Sequence, residues 1–133
     1  MSYKAEEGAI NMRVQNKFKR VRSNYWDWEI FLVETTDDSI KIADIKYVKY
    51  YLHKSFSTNI IHSRDKTNGF LKRGSGWGEF LVGVEVETEK GDIYHSLYWL
   101  DLGFWNTSED KKQYPGFFEK GPLSEAEIIE VMS

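Results

Sequence analysis

The sequence predicts an all-β fold, an antiparallel β-sandwich finished by a short C-terminal helix. Three observations predict it. Apolar residues recur with a period of two in several segments, which places them on one face of a strand. The chain is rich in sheet-forming aromatics and poor in proline, with five Trp, eight Tyr and eight Phe against two Pro. Turn-forming residues separate the alternating segments into short runs, the pattern of a sandwich. A length of 133 residues fits one domain, large enough to bury a core without a covalent staple.

The first predicted strand covers residues 13–21, where Val14, Asn16, Phe18 and Arg20 alternate with basic residues. Ser23-Asn24 reads as a turn. Residues 25–35 follow with Trp26, Trp28, Ile30 and Leu32 on one face and Asp27, Glu29, Phe31 and Val33 on the other. Thr36-Asp37-Asp38-Ser39 is a turn cluster. Residues 41–53 form a third strand whose two faces are both partly apolar near its end. A polar, irregular stretch ends in an Asn68-Gly69 turn, and residues 70–73 are a short strand candidate. Gly74-Ser75-Gly76-Trp77-Gly78 then reads as an interruption, its glycines implying unusual backbone angles or a close approach. Residues 80–88 alternate Phe80, Val82, Val84 and Val86 against Leu81, Gly83, Glu85 and Glu87. Lys90-Gly91-Asp92 is a hairpin turn, and residues 93–102 return.

Beyond residue 104 the chain changes character. Phe104, Trp105, Phe117 and Phe118 read as docking an irregular tail onto the sandwich, which places the sandwich at residues 11–104 and the tail at 105–133. Ser124 and Glu127 form a capping box. It opens a helix over residues 125–132, with Ile128, Ile129 and Met132 as its apolar face. Burial is expected for Trp28, Ile30, Phe80, Val82, Val84, Val86 and Trp99.

Composition narrows the chemistry. The absence of cysteine excludes disulfides, thiolate metal sites and cysteine nucleophiles, and points to a reducing compartment. The first residues lack the apolar stretch of a secretory signal, and no apolar run is long enough for a membrane span. The expected location is therefore cytoplasmic, or nuclear in a eukaryote, without membrane attachment. Net charge is -3. Arg13, Lys17, Lys19, Arg20 and Arg22 make a local basic stretch, which reads as a guarded strand edge. Nucleic acid is not an expected partner, since no groove-filling element accompanies that charge.

Catalytic patterns are missing. Gly74-Ser75-Gly76 fails the spacing of a nucleophile elbow. His53, His62 and His95 lack metal-ligand spacing, and Asp37-Asp38 reads as solvated. No cofactor is expected. The chain reads as a non-enzymatic binding module and a monomer.

The informative residues are Leu52-His53-Lys54-Ser55-Phe56 and, some twenty positions on, Gly76-Trp77-Gly78-Glu79-Phe80. Together with Tyr25-Trp26-Asp27-Trp28 and a closing strand near Tyr98–Leu102, they resemble the YEATS family, its prokaryotic branch in particular. The resemblance runs from about Asn11 to Leu102. It implies an eight-stranded, immunoglobulin-like antiparallel β-sandwich with a loop-built site at one end. In members that read acyl-lysine, two loop aromatics hold the flat acyl amide, and these map onto Phe56 and Trp77. Ser55 maps onto a hydroxyl that bonds the acyl amide, and the Trp77 backbone N–H onto a donor to the acyl carbonyl. Gly76 and Gly78 let that backbone come close, while His53 positions the loop. Where such readers carry an aromatic or His four residues before the strand Trp, this chain has Asn24. That leaves Asn24 or Tyr25 as the third wall.

Each of these residues also has a purely structural reading. Phe56 can plug the sandwich end, Trp77 can anchor the glycine loop, Ser55 can cap a turn, and Glu79 reads as a surface pair. Three functions compete: an acyl-lysine reader with an acylated-lysine peptide or protein as partner, a general protein-interaction scaffold, and a sugar-binding sandwich. The third needs coplanar exposed Trp on a sheet face, which the alternation does not supply.

Overall fold

A computed structural model describes residues 10–34, 40–103 and 108–133. The expected turn at 36–39 and the aromatics Phe104 and Trp105 lie outside those residues. Among the described residues eight strands form in chain order: β1 (Ile10–Arg22), β2 (Tyr25–Glu34), β3 (Ile45–Tyr51), β4 (Ile60–Ser63), β5 (Lys72–Gly76), β6 (Leu81–Thr88), β7 (Ile93–Trp99) and β8 (Phe117–Lys120). Helix α1 (Ser108–Gln113) precedes β8 and helix α2 (Glu125–Met132) follows it.

Neighbours run β4-β3-β6-β7-β8-β1-β2-β5, every pair antiparallel. Strand β8 switches sheets: Phe117 and Phe118 pair with β1, while Glu119 and Lys120 pair with β7. It closes one side of the sandwich and buries Phe118 completely. The segment read as a docked tail thus contributes a strand to both sheets. On the opposite side β4 and β5 are the free edges.

The period of two does what it predicted. Trp28, Ile30 and Leu32 of β2 and Val82, Val84 and Val86 of β6 turn inward and are buried. They join Met12, Val14, Ile45, Val48, Tyr50, Leu100 and Leu102 in one core. Burying one such side chain stabilises the fold by about 1.5–3 kcal/mol. Trp99 departs from expectation. It faces the outer side of β7, only partly buried beneath the C-terminal segment.

Helix α2 forms with the expected capping box: Ser124 Oγ accepts from Glu127 N–H, and Glu127 Oε1 accepts from Ser124 N–H. Its buried face differs from the one expected. Val131 is buried with Ile128 and Met132 beside it, whereas Ile129 is 62% exposed. The helix lies over Gly83 of β6, where Leu123 and Val131 occupy the space a side chain would need. Residues 128, 131 and 132 lie on one side of a helix, and 129 falls outside that stripe. Among the described residues no helix is long and apolar enough to cross a membrane.

Several elements escaped the sequence reading, among them helix α1 and a 3-10 turn at Ile42–Asp44 where a strand was expected. Strand β4 and a 3-10 turn at Lys66–Asn68 lie in the stretch read as irregular. Strand β5 runs through the glycine segment read as an interruption. Gly74 and Gly76 are in extended strand and pair with Trp28 and Trp26.

Candidate functional site

The segment His53–Asn59 connects β3 to β4 at one end of the sandwich and is folded by its own polar groups. The Leu52 N–H donates to the Asn59 carbonyl, and the Phe56 N–H to the His53 carbonyl. Ser55 donates its backbone N–H to His53 Nδ1 at 3.1 Å, and its Oγ stands 2.9 Å from the same nitrogen. The backbone N–H points at Nδ1, which selects the tautomer with that nitrogen unprotonated, and in that tautomer the hydroxyl donates to it as well. The lone pairs of Ser55 Oγ are then free to accept a hydrogen bond from outside the loop.

Phe56 is half-buried, and its ring rests on two core aromatics. Its centroid lies 6.1 Å from Trp28, edge-on, and 5.2 Å from Phe80. Trp28 and Phe80 are themselves 5.9 Å apart. Contacts of this kind contribute about 0.5–1.5 kcal/mol each beyond area burial. Phe56 is therefore held in orientation by the core.

Trp77 follows β5 and is 73% exposed. Among the described residues, the rings touching Phe56 are Trp28 and Phe80, and Trp77 is not among them. Gly76 and Gly78 meet nothing within 4 Å of where a Cβ would stand, and neither has a positive φ. The close approach occurs instead at Gly74, where a Cβ would stand 2.3 Å from the Trp28 ring.

Glu79 holds the end of this loop, and it is not the surface pair the sequence suggested. Its Oε1 accepts from Trp99 Nε1 at 3.1 Å and its Oε2 from the Leu102 N–H at 2.7 Å. Burial raises its pKa; the two donors lower it without cancelling that effect, and nearby Asp101 adds to the rise.

Asn24 occupies the turn between β1 and β2, exposed and left-handed at φ 57°. Tyr25 stacks against the Arg22 guanidinium at 4.3 Å. The register pairs Trp26 with Gly76, so the chain just before Trp26 and the chain just after Gly76 leave the sheet side by side. That brings Asn24 and Tyr25 to the same end as Trp77.

Beside Phe56 a cavity of about 540 Å³ opens between the edges β4 and β5, with Trp28, Leu52 and Phe56 among its walls. The indole N–H of Trp28 is buried without a hydrogen-bond partner among the described residues. A second hollow of about 640 Å³ lies on the β1–β2–β5 sheet. Its charges are matched across strands, Lys17 opposite Glu29 and Lys19 opposite Asp27, with Arg73 on Glu29 at 3.0 Å. This cross-strand matching also accounts for part of the basic stretch in β1.

The three histidines stand apart. His53 lies in the first loop, His62 on β4 beside Tyr47, and His95 on β7 between Gly121 and Glu127. Among the described residues no three His, Asp or Glu side chains gather as a metal site. The sequence missed Glu79 as a loop anchor and the cavity wall made by Ser57, Thr58 and β5. The motif position of Glu79, two residues after Trp77, was the available signal.

Solved structures share this fold. The Yaf9 YEATS domain recognising an H3K122suc peptide superposes with a TM-score of 0.57 at 20% identity, over 71% of this chain and 73% of that one. The Yaf9 YEATS domain bound to H3K27ac gives a TM-score of 0.55 at 18% identity, over 91% of this chain and 90% of the other. No curated protein sequence matches the chain. The family model of the prokaryotic YEATS domain matches residues 26–101. That span starts at the Trp26 strand, takes in both the His53–Ser55–Phe56 loop and the Gly76–Trp77–Gly78 loop, and ends two residues past β7; the chain belongs to the prokaryotic YEATS domain family.

Proposed function

We propose that this domain is a non-enzymatic reader that binds an acylated lysine at the sandwich end formed by the His53–Phe56 loop and Trp77. One observation carries the reading: Ser55 Oγ stands 2.9 Å from the His53 Nδ1 that accepts the Ser55 N–H, and in that tautomer the hydroxyl proton turns to the ring and its lone pairs turn to a ligand. An acyl-lysine amide offers the matching N–H. Phe56, braced by Trp28 and Phe80, supplies one apolar wall. Trp77, free of the core and flanked by unobstructed glycines, supplies the other wall and a backbone N–H for the acyl carbonyl. Tyr25, at the same end of the sandwich, is the candidate for a third wall, since Asn24 has no ring.

The physics favours an acylated over a free lysine. Acylation removes the ammonium charge, whose burial would be costly, and leaves a planar amide that stacks on aromatic faces. The solved Yaf9 domains support the reading by analogy, since their complexes hold a succinylated and an acetylated H3 peptide. The test is direct titration of one peptide carrying acetyl-lysine, crotonyl-lysine or unmodified lysine. The acylated forms are expected to bind at least about tenfold more tightly, roughly 1.4 kcal/mol. Equal binding of all three would overturn the reading.

A further inference from the structure

The acyl-lysine reading accounts for one end of the sandwich and leaves its open side unused. Among the described residues, strands β4 and β5 end the strand order, and each has a partner strand on one side only. Their other sides carry backbone N–H and C=O groups with no strand to pair with. The cavity of about 540 Å³ lies between these two edges, with Ile60–His62 on one wall and Lys72–Ser75 on the other.

Two features of this cleft identify an occupant. The first is charge. Lys72, Arg73 and His62 line it, and among the described residues no carboxylate does. Arg73 is engaged by Glu29, but Lys72 has no ion pair among the described residues. Ser75 on the same wall donates to Asp27, so the cleft's unpaired cation among the described residues is Lys72, on a chain of net charge -3. The second is backbone access. Gly76 is in extended strand and nothing stands within 4 Å of where its Cβ would be, whereas at Gly74 that space holds the Trp28 ring. Another backbone can approach this edge closely. The edge also runs directly into Trp77, and exposed Ile60 offers an apolar ledge across the cleft.

We infer that an extended, acidic peptide segment adds to the free edge of β5 as a further strand, its carboxylates meeting Lys72 and the cleft's other basic groups. The inference rests on the acyl-lysine reading for what lies at the segment's end: a strand paired along β5 delivers its next residues to the Trp77 loop. Backbone pairing supplies affinity without sequence preference, and the cations supply the choice of flanking sequence. Five strand residues span about 17 Å, so the flank recognised is a handful of residues on one side of the modified lysine.

The experiment uses the full chain and four fluorescent peptides, with crotonyl-lysine or unmodified lysine in a flank of alternating Glu and Thr or of alternating Lys and Thr. At roughly 50 mM salt the acidic flank should bind about tenfold more tightly than the basic one, and the gap should close near about 0.5 M salt. Lys72→Gln should abolish the preference and Lys72→Glu should reverse it. N-methylation of alternate backbone amides in the acidic peptide should weaken binding strongly in one phase of the alternation and little in the other. Indifference to flank charge, or a preference untouched by both Lys72 variants, overturns the inference. Equal tolerance of N-methyl groups in both phases removes the added strand. If the acidic flank wins equally with crotonyl- and unmodified lysine, the acyl-lysine reading fails and the cleft stands. If no peptide of the four binds, both fall.

Discussion

The backbone of Gly74 lies so close to the indole of Trp28 that a Cβ at position 74 would stand 2.3 Å from the ring. A tight contact of this kind ties the edge strand β5 to the core, because Trp28 is 2% exposed and carries Phe56 and Phe80 on its flanks. Gly74→Ala should therefore destabilise the domain by about 1–3 kcal/mol, the usual cost of overpacking. Gly76→Ala, with open space around it, should cost far less. Thermal unfolding of the two variants decides this, and equal melting temperatures would show that the ring yields freely.

Phe56 and Trp77 should separate binding from stability. Trp77 is mostly exposed, so Trp77→Ala is expected to abolish binding of a crotonyl-lysine peptide while leaving Tm within a degree or two of wild type, roughly. Phe56→Ala should lose binding and also about 1–3 kcal/mol of stability, because its ring packs on two core aromatics. Paired titration and thermal melts test both. A large fall in Tm for Trp77→Ala would make that residue a structural plug.

The His53–Ser55 arrangement predicts a graded series. Ser55→Ala should weaken acyl-peptide binding by about 1 kcal/mol, the net worth of one neutral hydrogen bond. His53→Asn places an acceptor oxygen near the position of Nδ1 and should retain most binding, as an Asx turn does for a backbone N–H. His53→Leu should lose more than Ser55→Ala, since it releases the Ser55 N–H as well. Calorimetry on the three variants checks the order, and His53→Leu binding like wild type would remove the loop argument.

Asn24→Phe, the obvious substitution to supply a third aromatic wall, should not be neutral. Asn24 sits at φ 57°, a left-handed conformation that asparagine tolerates and bulky residues resist. A loss of about 1 kcal/mol of stability is expected, whatever happens to affinity. Tyr25→Ala is the better probe of that wall, and unchanged acyl-peptide affinity in it would exclude Tyr25.

Helix α2 should stabilise the sandwich in a pH-dependent way. Burial raises the Glu127 pKa, but hydrogen bonds from Ser124 and the neighbouring His95 outweigh it and bring the value below the ordinary carboxylate range. A carboxylate lowered in the folded state stabilises the fold above its unfolded value, and that contribution disappears as pH falls through the lowered one. Glu127→Gln should thus lower Tm at pH 7, with the difference from wild type narrowing only below about pH 4. Removing residues 124–133 uncovers Tyr51, Leu81 and Leu123 and should cost about 2 kcal/mol or more. Differential scanning calorimetry across pH tests both, and a truncated chain that melts unchanged would leave α2 without a role in this domain.

The sequence by itself determined the strands whose one face is buried and the cap of α2. Alternation in residues 26–32 and 82–86 is a local property of the extended chain, and a Ser–x–x–Glu cap closes within a single turn. The two loop motifs were legible too, because their residues lie consecutively in the chain. Only the tertiary structure decided the rest. Strand β4 is only four residues long, too short to show a period, and it pairs because β3 offers it an edge. Gly74 belongs to a strand because of an indole 46 positions earlier in the chain. Glu79 became an anchor because β7 brings Trp99 and Leu102 to it. The helix buries Val131 in place of Ile129 because the groove at Gly83 sets its rotation. The cleft between β4 and β5 exists because β8 closes only the opposite side. Contacts between residues far apart in the chain settle each of these, and periodicity, which reads neighbours only, carries no record of them.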